Sequence, residues 1–371
     1  MPTQTPIKLL TMEYPPTRGG AGVYCEELAH ASNELGMDIE VLAPLGSHSG
    51  SSVKVIQLPF RGSQGWICSL KIIKFLKTQS LEKIALHIAD PGAQRAMVRF
   101  GWLLPKPAKF ILTIHGSEIP KFSRNPIERL FFRNLLARAD KIHVLSKYNE
   151  AKLVQYYPEI RGRTFLVPGA PARETLPKSN PLESKDYAKR KLVLLCVGRI
   201  HPRKGQLQLL QAIEQLPRHL KERLICQFVG PNTKPAYVNQ ILTMSKAVGC
   251  EIQFLGNLEN SDLKKAYQLA DIFALTSIRQ HNSVEGFGFV YLEASSHGLP
   301  ILAHRVGGVE DAVIDGKTGL LCEPNKQNEL LLNLRQLIEQ SEKRKELGNA
   351  GIKWAAKHSW ENIAQKLYKS D

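Results

Sequence analysis

The sequence predicts a parallel α/β chain, two doubly wound sheets in tandem, on three observations. Its 371 residues exceed what one hydrophobic core usually organises, at about 100 to 200 residues per domain. Short apolar runs alternate with helix-period patterns along nearly the whole length, which is the rhythm of βα units. The rhythm stops once, between residues 168 and 191, where Pro168, Pro171, Pro177 and Pro181 are mixed with charges, and then resumes.

The first series of strand-like runs falls at 7–12, 39–43, 84–88, 110–115 and 141–145. The second falls at 192–197, 224–229, 251–255, 272–275 and 300–304. These runs place a first domain at 1–170, a linker at 171–190, a second domain at 191–350 and a final helical stretch at 351–371. In sheets of this kind ligands sit beyond the carboxyl ends of the strands. The loops after Met12, His115, Val197, Val229 and Thr276 are therefore the first places to look.

Composition narrows the class without choosing a function. With 43% hydrophobic and 23% charged residues, the chain is an ordinary globular one with no low-complexity tract. The start of the chain lacks the charged-then-apolar pattern of a secretory leader, and no window approaches the roughly 18 apolar residues of a membrane span. A cytoplasmic protein is expected. The six cysteines form no CxxC pair, so buried thiols are expected in place of disulfides or metal ligands. The net charge of +16 calls for an anionic partner: nucleic acid, phosphorylated small molecules or an anionic membrane.

Three segments carry chemistry. Pro15-Pro16-Thr17-Arg18-Gly19-Gly20-Ala21-Gly22 precedes a helical run, and glycines at a helix N-terminus let amides approach an anion. The spacing is not that of the dinucleotide fingerprint, and an ordinary turn is the competing account. Next, Gly198-Arg199-Ile200-His201-Pro202-Arg203-Lys204-Gly205 leaves a strand with three cations and a histidine between two glycines. That composition suits a diphosphate, because Arg offers a planar fork of donors and Lys a mobile charge. Last, Glu285-Gly286-Phe287-Gly288 runs on to Glu293. Gly286 and Gly288 can free amides for phosphate or sugar oxygens, and Glu293 would lie about two helical turns beyond Glu285. One glutamate could hold a sugar and the other a ribose. No spaced set of acids or histidines suggests a metal site.

These motifs, with TIHG at 113–116, VGP at 229–231, GLP at 298–300, VGG at 306–308, DGKTGLL at 315–321 and HSWENIA at 358–364, make the chain resemble the GT-B retaining glycosyltransferases of family 4. The resemblance implies two Rossmann-like domains facing across a cleft: an acceptor-binding one at 1–170 and a nucleotide-sugar-binding one at 191–350. The helix in 351–371 would cross back to the first. It further implies that Arg199 and Lys204 bind the donor diphosphate, with Gly20, Gly286, Phe287 and Gly288 around it. Glu293 would hold the ribose, Glu285 would contact the transferred sugar, and His115 would line the reaction centre. The implied donor is a UDP- or GDP-sugar and the acceptor a saccharide or lipid-linked molecule, with no metal or other cofactor. Transfer in this family is explained by same-face attack, the leaving phosphate accepting the acceptor's proton. Two departures are visible: Pro168 is followed by Gly169-Ala170 where the family often has Asn-Gly, and His115-Gly116-Ser117-Glu118 differs from the commoner variants.

Two other readings compete. A sugar-nucleotide epimerase or hydrolase could share this architecture. A nucleic-acid-binding protein would account for the charge, but the sequence has no RNP-like aromatic motif, zinc module or helix-turn-helix, so no nucleic-acid partner is expected. A membrane is different. Between residues 61 and 109 there are nine Lys or Arg against Glu82 and Asp90. Wound as a helix, residues 66–77 gather Trp66, Ile72, Ile73, Phe75 and Leu76 over about half the circumference and Lys71, Lys74 and Lys77 over the rest. This is either an interfacial helix, which would put the protein peripherally on the inner membrane face, or a helix packed on the sheet with a solvated lysine face.

Overall fold

The computed structural model describes residues 5–16, 19–50, 52–60, 65–177, 191–281 and 283–369. Thr17, Arg18, Arg61 and linker residues 178–190 lie outside these. The chain divides into two compact units, Met1–Gly169 with Ser359–Asp371, and Ala170–His358.

The first unit carries strands β1 (Ile7–Leu10), β2 (Ile39–Pro44), β3 (Lys54–Leu58), β4 (Ala85–Ile88), β5 (Lys109–Ile114), β6 (Lys141–Val144) and β7 (Thr164–Leu166). They form one sheet in the order β3-β2-β1-β4-β5-β6-β7, every pairing parallel. The second unit carries β8 (Leu192–Val197), β9 (Leu224–Val229), β10 (Glu251–Gly256), β11 (Ile272–Leu275), β12 (Ile301–His304) and β13 (Gly319–Cys322), in the order β10-β9-β8-β11-β12-β13, also all parallel. The strand order reverses direction between β1 and β4 and between β8 and β11, the switch points where such sheets open a crevice.

Central strands are buried from end to end, as in β4, β8, β11 and β12, because helices cover both faces. Their sequences are accordingly near-continuous apolar runs, interrupted by His87 in β4 and closed by His304 in β12. The apolar runs do not announce β3, β7 or β13. Strand β3 is an edge with four of its five residues, Lys54-Val55-Ile56-Gln57, half-exposed or exposed, β7 has three residues, and β13 opens on Gly319 with Ile301 O only 2.5 Å from where a Cβ would stand. The β1–β2–β3 register is marked by charge: Lys8, Glu40 and Lys54 are direct cross-strand neighbours, and Glu40 bridges both lysines.

Helix Trp66–Lys77 settles one of the alternatives above. Ile72, Ile73 and Leu76 are 3% exposed or less and belong to the core with Cys68, while Phe75 packs against it. Four of the five apolar residues grouped from the sequence, Ile72, Ile73, Phe75 and Leu76, therefore face the sheet, since a doubly wound sheet needs that apolar cover, whereas Trp66 is 61% exposed. All six cysteines are free, five of them buried and Cys250 half-buried.

The final helix, Trp360–Tyr368, starts at Ser359, whose hydroxyl accepts from the Asn362 amide at 3.1 Å. It buries Trp360, Ile363, Ala364 and Leu367, the spacing of one helical face. Trp360 meets Tyr24 of helix Gly20–Glu34 edge-on at 5.7 Å. Below it runs a chain of hydrogen bonds that the Val167 carbonyl polarises, since a carbonyl only accepts. His143 Nε2 donates to Val167 O at 2.9 Å, so His143 Nδ1 accepts, from Tyr24 OH at 3.0 Å. Tyr24 is joined to Thr113 Oγ1 at 2.9 Å, Thr113 to His87 Nε2 at 2.7 Å, and His87 Nδ1 to Tyr368 OH at 2.6 Å. Each link can be made with neutral groups, Tyr368 donating at one end and His143 at the other.

Burial, reinforced by the neighbouring histidines, holds the His87 imidazole well below its ordinary pKa of 6.5. Burial also brings His143 to about 4, against the opposing pull of the Val167 carbonyl. Unfolded histidines take up protons below their ordinary pKa while these do not, so stability should fall as pH drops from 6.5 toward about 4. Tyr368→Phe should cost about 1 to 3 kcal/mol by leaving His87 Nδ1 without its donor, and Trp360→Ala about 3 to 5 kcal/mol. Urea unfolding of the full chain across that pH range checks all three expectations.

Candidate functional site

In the second unit the two signature loops meet at the β8/β11 switch point. The 198–205 segment leaves β8, makes a short 3-10 turn at Pro202–Lys204 and enters helix Gln206–Glu214. Gly205 permits this route: its φ is +71°, and a Cβ there would stand 1.7 Å from the Thr276 carbonyl. Thr276 Oγ1 donates to Gly205 O at 2.7 Å, and Ile278 N to Arg203 O at 2.8 Å. The cationic loop is thereby sewn to the end of β11.

Across this seam Glu285 meets the cations. One of its oxygens accepts from Lys204 Nζ at 2.7 Å, Arg203 Nη1 at 3.2 Å and Ser277 Oγ at 3.2 Å. The three charged side chains are 10–12% exposed. Burial by itself would raise the Glu285 carboxyl, but Lys204 and Arg203 hold it at about 2. The VGG motif grips the same residue from behind: Gly308 N donates to Glu285 O at 3.0 Å, and Gly307, at φ +61°, has that carbonyl 2.1 Å from where a Cβ would lie. Arg199 is exposed on the loop, and its carbonyl accepts from Gln206 Nε2 at 3.0 Å. His201 Nδ1 accepts from Arg203 N at 3.1 Å, and partial burial together with four nearby cations lowers its pKa.

Phe287 is buried, while Gly286 and Gly288 are half-buried. Gly288 takes φ +89° and starts helix Phe289–Ser296, so Glu293 is its fifth residue. It lies little more than one turn into the helix, in place of the two turns counted from Glu285, because the left-handed residue starts the helix afresh. Glu293 is 5% exposed, not a solvated surface glutamate, and accepts from Tyr267 OH at 2.9 Å. Tyr267 in turn stacks on His297 at 5.3 Å.

The first unit supplies a separate cluster at the β1/β4 switch point. His115, half-buried after β5, donates from Nε2 to Ala89 O at 2.8 Å, which fixes the tautomer and leaves Nδ1 an acceptor. Its amide donates to Glu118 Oε1 at 2.6 Å, its carbonyl accepts from Asn149 Nδ2 at 3.1 Å, and Tyr24 meets the ring edge-on at 5.2 Å. Asp90 ties the loop after β1 to β4: its carboxylate accepts from Thr11 Oγ1 at 2.5 Å and caps helix Pro91–Phe100 through Ala93 N at 2.7 Å. Gly20 is exposed at the first turn of helix Gly20–Glu34, beside the Gly19 amide, which donates to Glu13 Oε2 at 3.2 Å.

Thus Lys204 and Glu285 are brought into contact, Arg199 is on the same loop, and Glu293 is one helix turn away. His115 and Gly20 belong to the other unit. The sequence reading passes over Arg203 as a partner of Glu285, Tyr267 on Glu293 and Asp90 at the β4 end. Arg203 stands in the cationic loop and Asp90-Pro91 has a helix-cap signature, whereas nothing in the sequence points to Tyr267. Among the described residues no three or more His, Cys, Asp or Glu gather as a metal site would.

Comparison with known proteins agrees with this construction. Residues 180–354 match the family model for glycosyl transferases group 1, and residues 18–170 that for glycosyltransferase family 4. An uncharacterized glycosyltransferase of Methanocaldococcus jannaschii is 26% identical over 97% of this chain and 96% of its own. The GDP-mannose-dependent alpha-(1-6)-phosphatidylinositol monomannoside mannosyltransferase of Mycobacterium tuberculosis is 24% identical over 97% and 96%. The structure of sucrose-phosphate synthase from Thermosynechococcus elongatus superposes with a TM-score of 0.80 at 21% identity, covering 98% of this chain and 97% of that one. Two parallel-sheet α/β units with such neighbours define the GT-B class. The chain belongs to its family 4 glycosyltransferases.

Glu285 should carry stability as well as function. The contribution of its depressed pKa is complete above the ordinary value of 4.5 and lost as pH falls toward about 2. Glu285→Gln strands Lys204 and Arg203 and should cost about 3 kcal/mol at neutral pH, with a flatter acid-unfolding curve. An unchanged thermal midpoint would contradict the ion cluster.

Proposed function

We propose that the protein is a retaining, metal-independent hexosyltransferase that moves a hexose from a UDP- or GDP-sugar to a saccharide or lipid-linked acceptor in cell-surface glycan or glycolipid synthesis. The observation that carries this reading is the buried cluster of Arg203, Lys204 and Glu285 at the β8/β11 switch point, where a doubly wound sheet receives a nucleotide. Without ligand, Glu285 is the counter-ion of two cations. A diphosphate brings its own negative charge, so Lys204 and Arg203 turn to it, joined by Arg199. Glu285 is then released to accept from hydroxyls of the transferred sugar. Gly286, Phe287 and Gly288 offer backbone amides at the start of helix Phe289–Ser296, and Glu293, steadied by Tyr267, takes the ribose.

The acceptor hydroxyl attacks the anomeric carbon on the face from which the diphosphate departs. The carbon–oxygen bond to phosphate breaks as the glycosidic bond forms, and the hydroxyl proton passes to the leaving phosphate oxygen. The cations neutralise the charge that develops on the diphosphate, which is the larger part of such catalysis. His115 and Gly20 are carried over from the family resemblance, His115 offering Nδ1 as an acceptor for a substrate hydroxyl and Gly20 letting backbone come close. The name of the mycobacterial relative, which specifies GDP-mannose and a phosphatidylinositol acceptor, supports a GDP-sugar and a lipid-linked acceptor. A cytoplasmic enzyme, peripheral on the inner membrane face, goes with that acceptor.

Thermal shift with UDP and GDP identifies the base, since a ligand at 100 times its Kd adds about 2.7 kcal/mol. Arg199→Ala with Lys204→Ala should weaken nucleoside diphosphate binding by about 2 kcal/mol or more, and unchanged calorimetric affinity would remove them from the site. Glu285→Gln should cut turnover while keeping or tightening nucleoside diphosphate binding, because a competing anion is gone, whereas Glu293→Ala should weaken it. EDTA should leave turnover unchanged. Release of free sugar at the same rate with and without acceptor would instead indicate a hydrolase.

A further inference from the structure

The exposed apolar side chains of the first unit are not scattered. Of twelve large ones exposed among the described residues, five gather around Arg99: Trp66, Ile67 and Leu70 on helix Trp66–Lys77, and Trp102 and Leu103 just after helix Pro91–Phe100. Ile67 is 74% exposed, Trp66 61% and Trp102 59%, values at which an indole is mostly in water. The grouping is built. The Arg99 guanidinium lies 4.4 Å from the Trp66 ring centre and donates to Ser69 Oγ at 3.1 Å. Trp66 meets Phe100 edge-on at 5.7 Å, and Trp102 Nε1 donates to Arg99 O at 3.2 Å.

These are different residues from the sheet-facing stripe of the same helix. They form the opposite side, where Ile67, Leu70, Lys71 and Lys74 follow one another at helical spacing, all exposed. The charge around them is predominantly positive, with Glu128 the acid that acts on Arg99. Residues 65–138 hold thirteen Lys or Arg against four acids, and two of those acids, Asp90 and Glu118, are 1% exposed or less. A tip of indole and aliphatic groups within a ring of cations matches a surface that is anionic outside and apolar beneath. A folded protein partner would need acids directed at particular cations, whereas headgroups supply mobile charge. The cations also lead somewhere. Arg95 is one turn from Arg99, and the two act electrostatically on Lys121, which belongs to helix Glu118–Ser123 directly after the His115 turn.

We propose that the face bearing Trp66, Ile67, Leu70, Trp102 and Leu103, with Arg99, Lys71 and Lys74, seats this protein on an anionic phospholipid bilayer, the two indoles entering the headgroup layer. The proposal takes its purpose from the lipid-linked acceptor above, but its test does not require activity.

The full chain is sedimented with phosphatidylcholine vesicles with and without phosphatidylglycerol. Binding is expected only with the anionic lipid and should fall steeply with salt. Trp66→Ser with Trp102→Ser should weaken binding roughly tenfold or more, as should Lys71→Glu with Lys74→Glu, and both pairs should keep the thermal midpoint and transfer to a soluble acceptor. Quenching by brominated lipid tests the wild-type protein directly: emission should drop on binding, since Trp66 and Trp102 are the exposed indoles, while Trp360 is 1% exposed and Trp354 is half-buried in the second unit with its Nε1 donating to Ala312 O. Absence of binding at low salt, equal binding by the tryptophan variants, unquenched emission, or self-association through this face in place of vesicle binding would each overturn the proposal. A chain that binds vesicles yet transfers no sugar would refute the enzymatic reading and leave this one standing.

Discussion

A carboxylate on a buried side chain remains charged only if opposite charge is brought to it, and in the second unit that requirement organises the strand ends around Glu285. Lys204 and Arg203 reach it because Gly205 lets their loop lie against the β11 end, and Gly307 lets the 306–308 turn close on its backbone. A buried pair of this kind adds little net stability compared with an apolar replacement, but losing one partner is costly. The cluster therefore enforces its own geometry. In the reading proposed above the same cations also serve a diphosphate, and the fold holds them assembled and desolvated with a side chain of its own as counter-ion. Preorganisation of this type removes the reorganisation cost from the binding and chemical steps.

The first unit solves a comparable problem without charge. Tyr368, His87, Thr113, Tyr24 and His143 form one buried hydrogen-bond chain whose direction is set by the Val167 carbonyl. Buried polar groups are tolerable when every member is paired. Here the pairing joins the last helix of the sequence to strands β4, β5 and β6, and Tyr24 of the same chain borders His115. Residues 281 positions apart thus help to hold one site, and the fold of this unit includes the end of the chain for that reason.

Charge is divided by use. In the second unit it is concentrated and paired at the strand ends. On the outer helices of the first it is spread around exposed tryptophans, with cations outnumbering acids. The net charge of +16 therefore has contributions from both units, and composition alone could not choose between phosphorylated small molecules and a membrane.

The sequence by itself determined the α/β class, the central strands and the loops that leave them, because strands buried on both faces must be near-continuous apolar runs and glycine is required where backbones nearly touch. The loops Gly198 to Gly205 and Glu285 to Gly288 were legible on those grounds, whereas roles for Arg199, Lys204 and Glu293 came from the family resemblance. Strands β3, β7 and β13 were not: β3 is a largely exposed edge holding Lys54 and Gln57, β7 has only three residues, and β13 opens on Gly319. The tertiary structure alone decided that Arg203 shares Glu285 with Lys204, that Tyr267 holds Glu293, and that Tyr368 reaches His87. It also decided which side of helix Trp66–Lys77 meets solvent. Helical periodicity shows that a helix has two faces, but burial of one requires a neighbour, and neighbours distant in sequence are chosen only when the sheet and its helices pack.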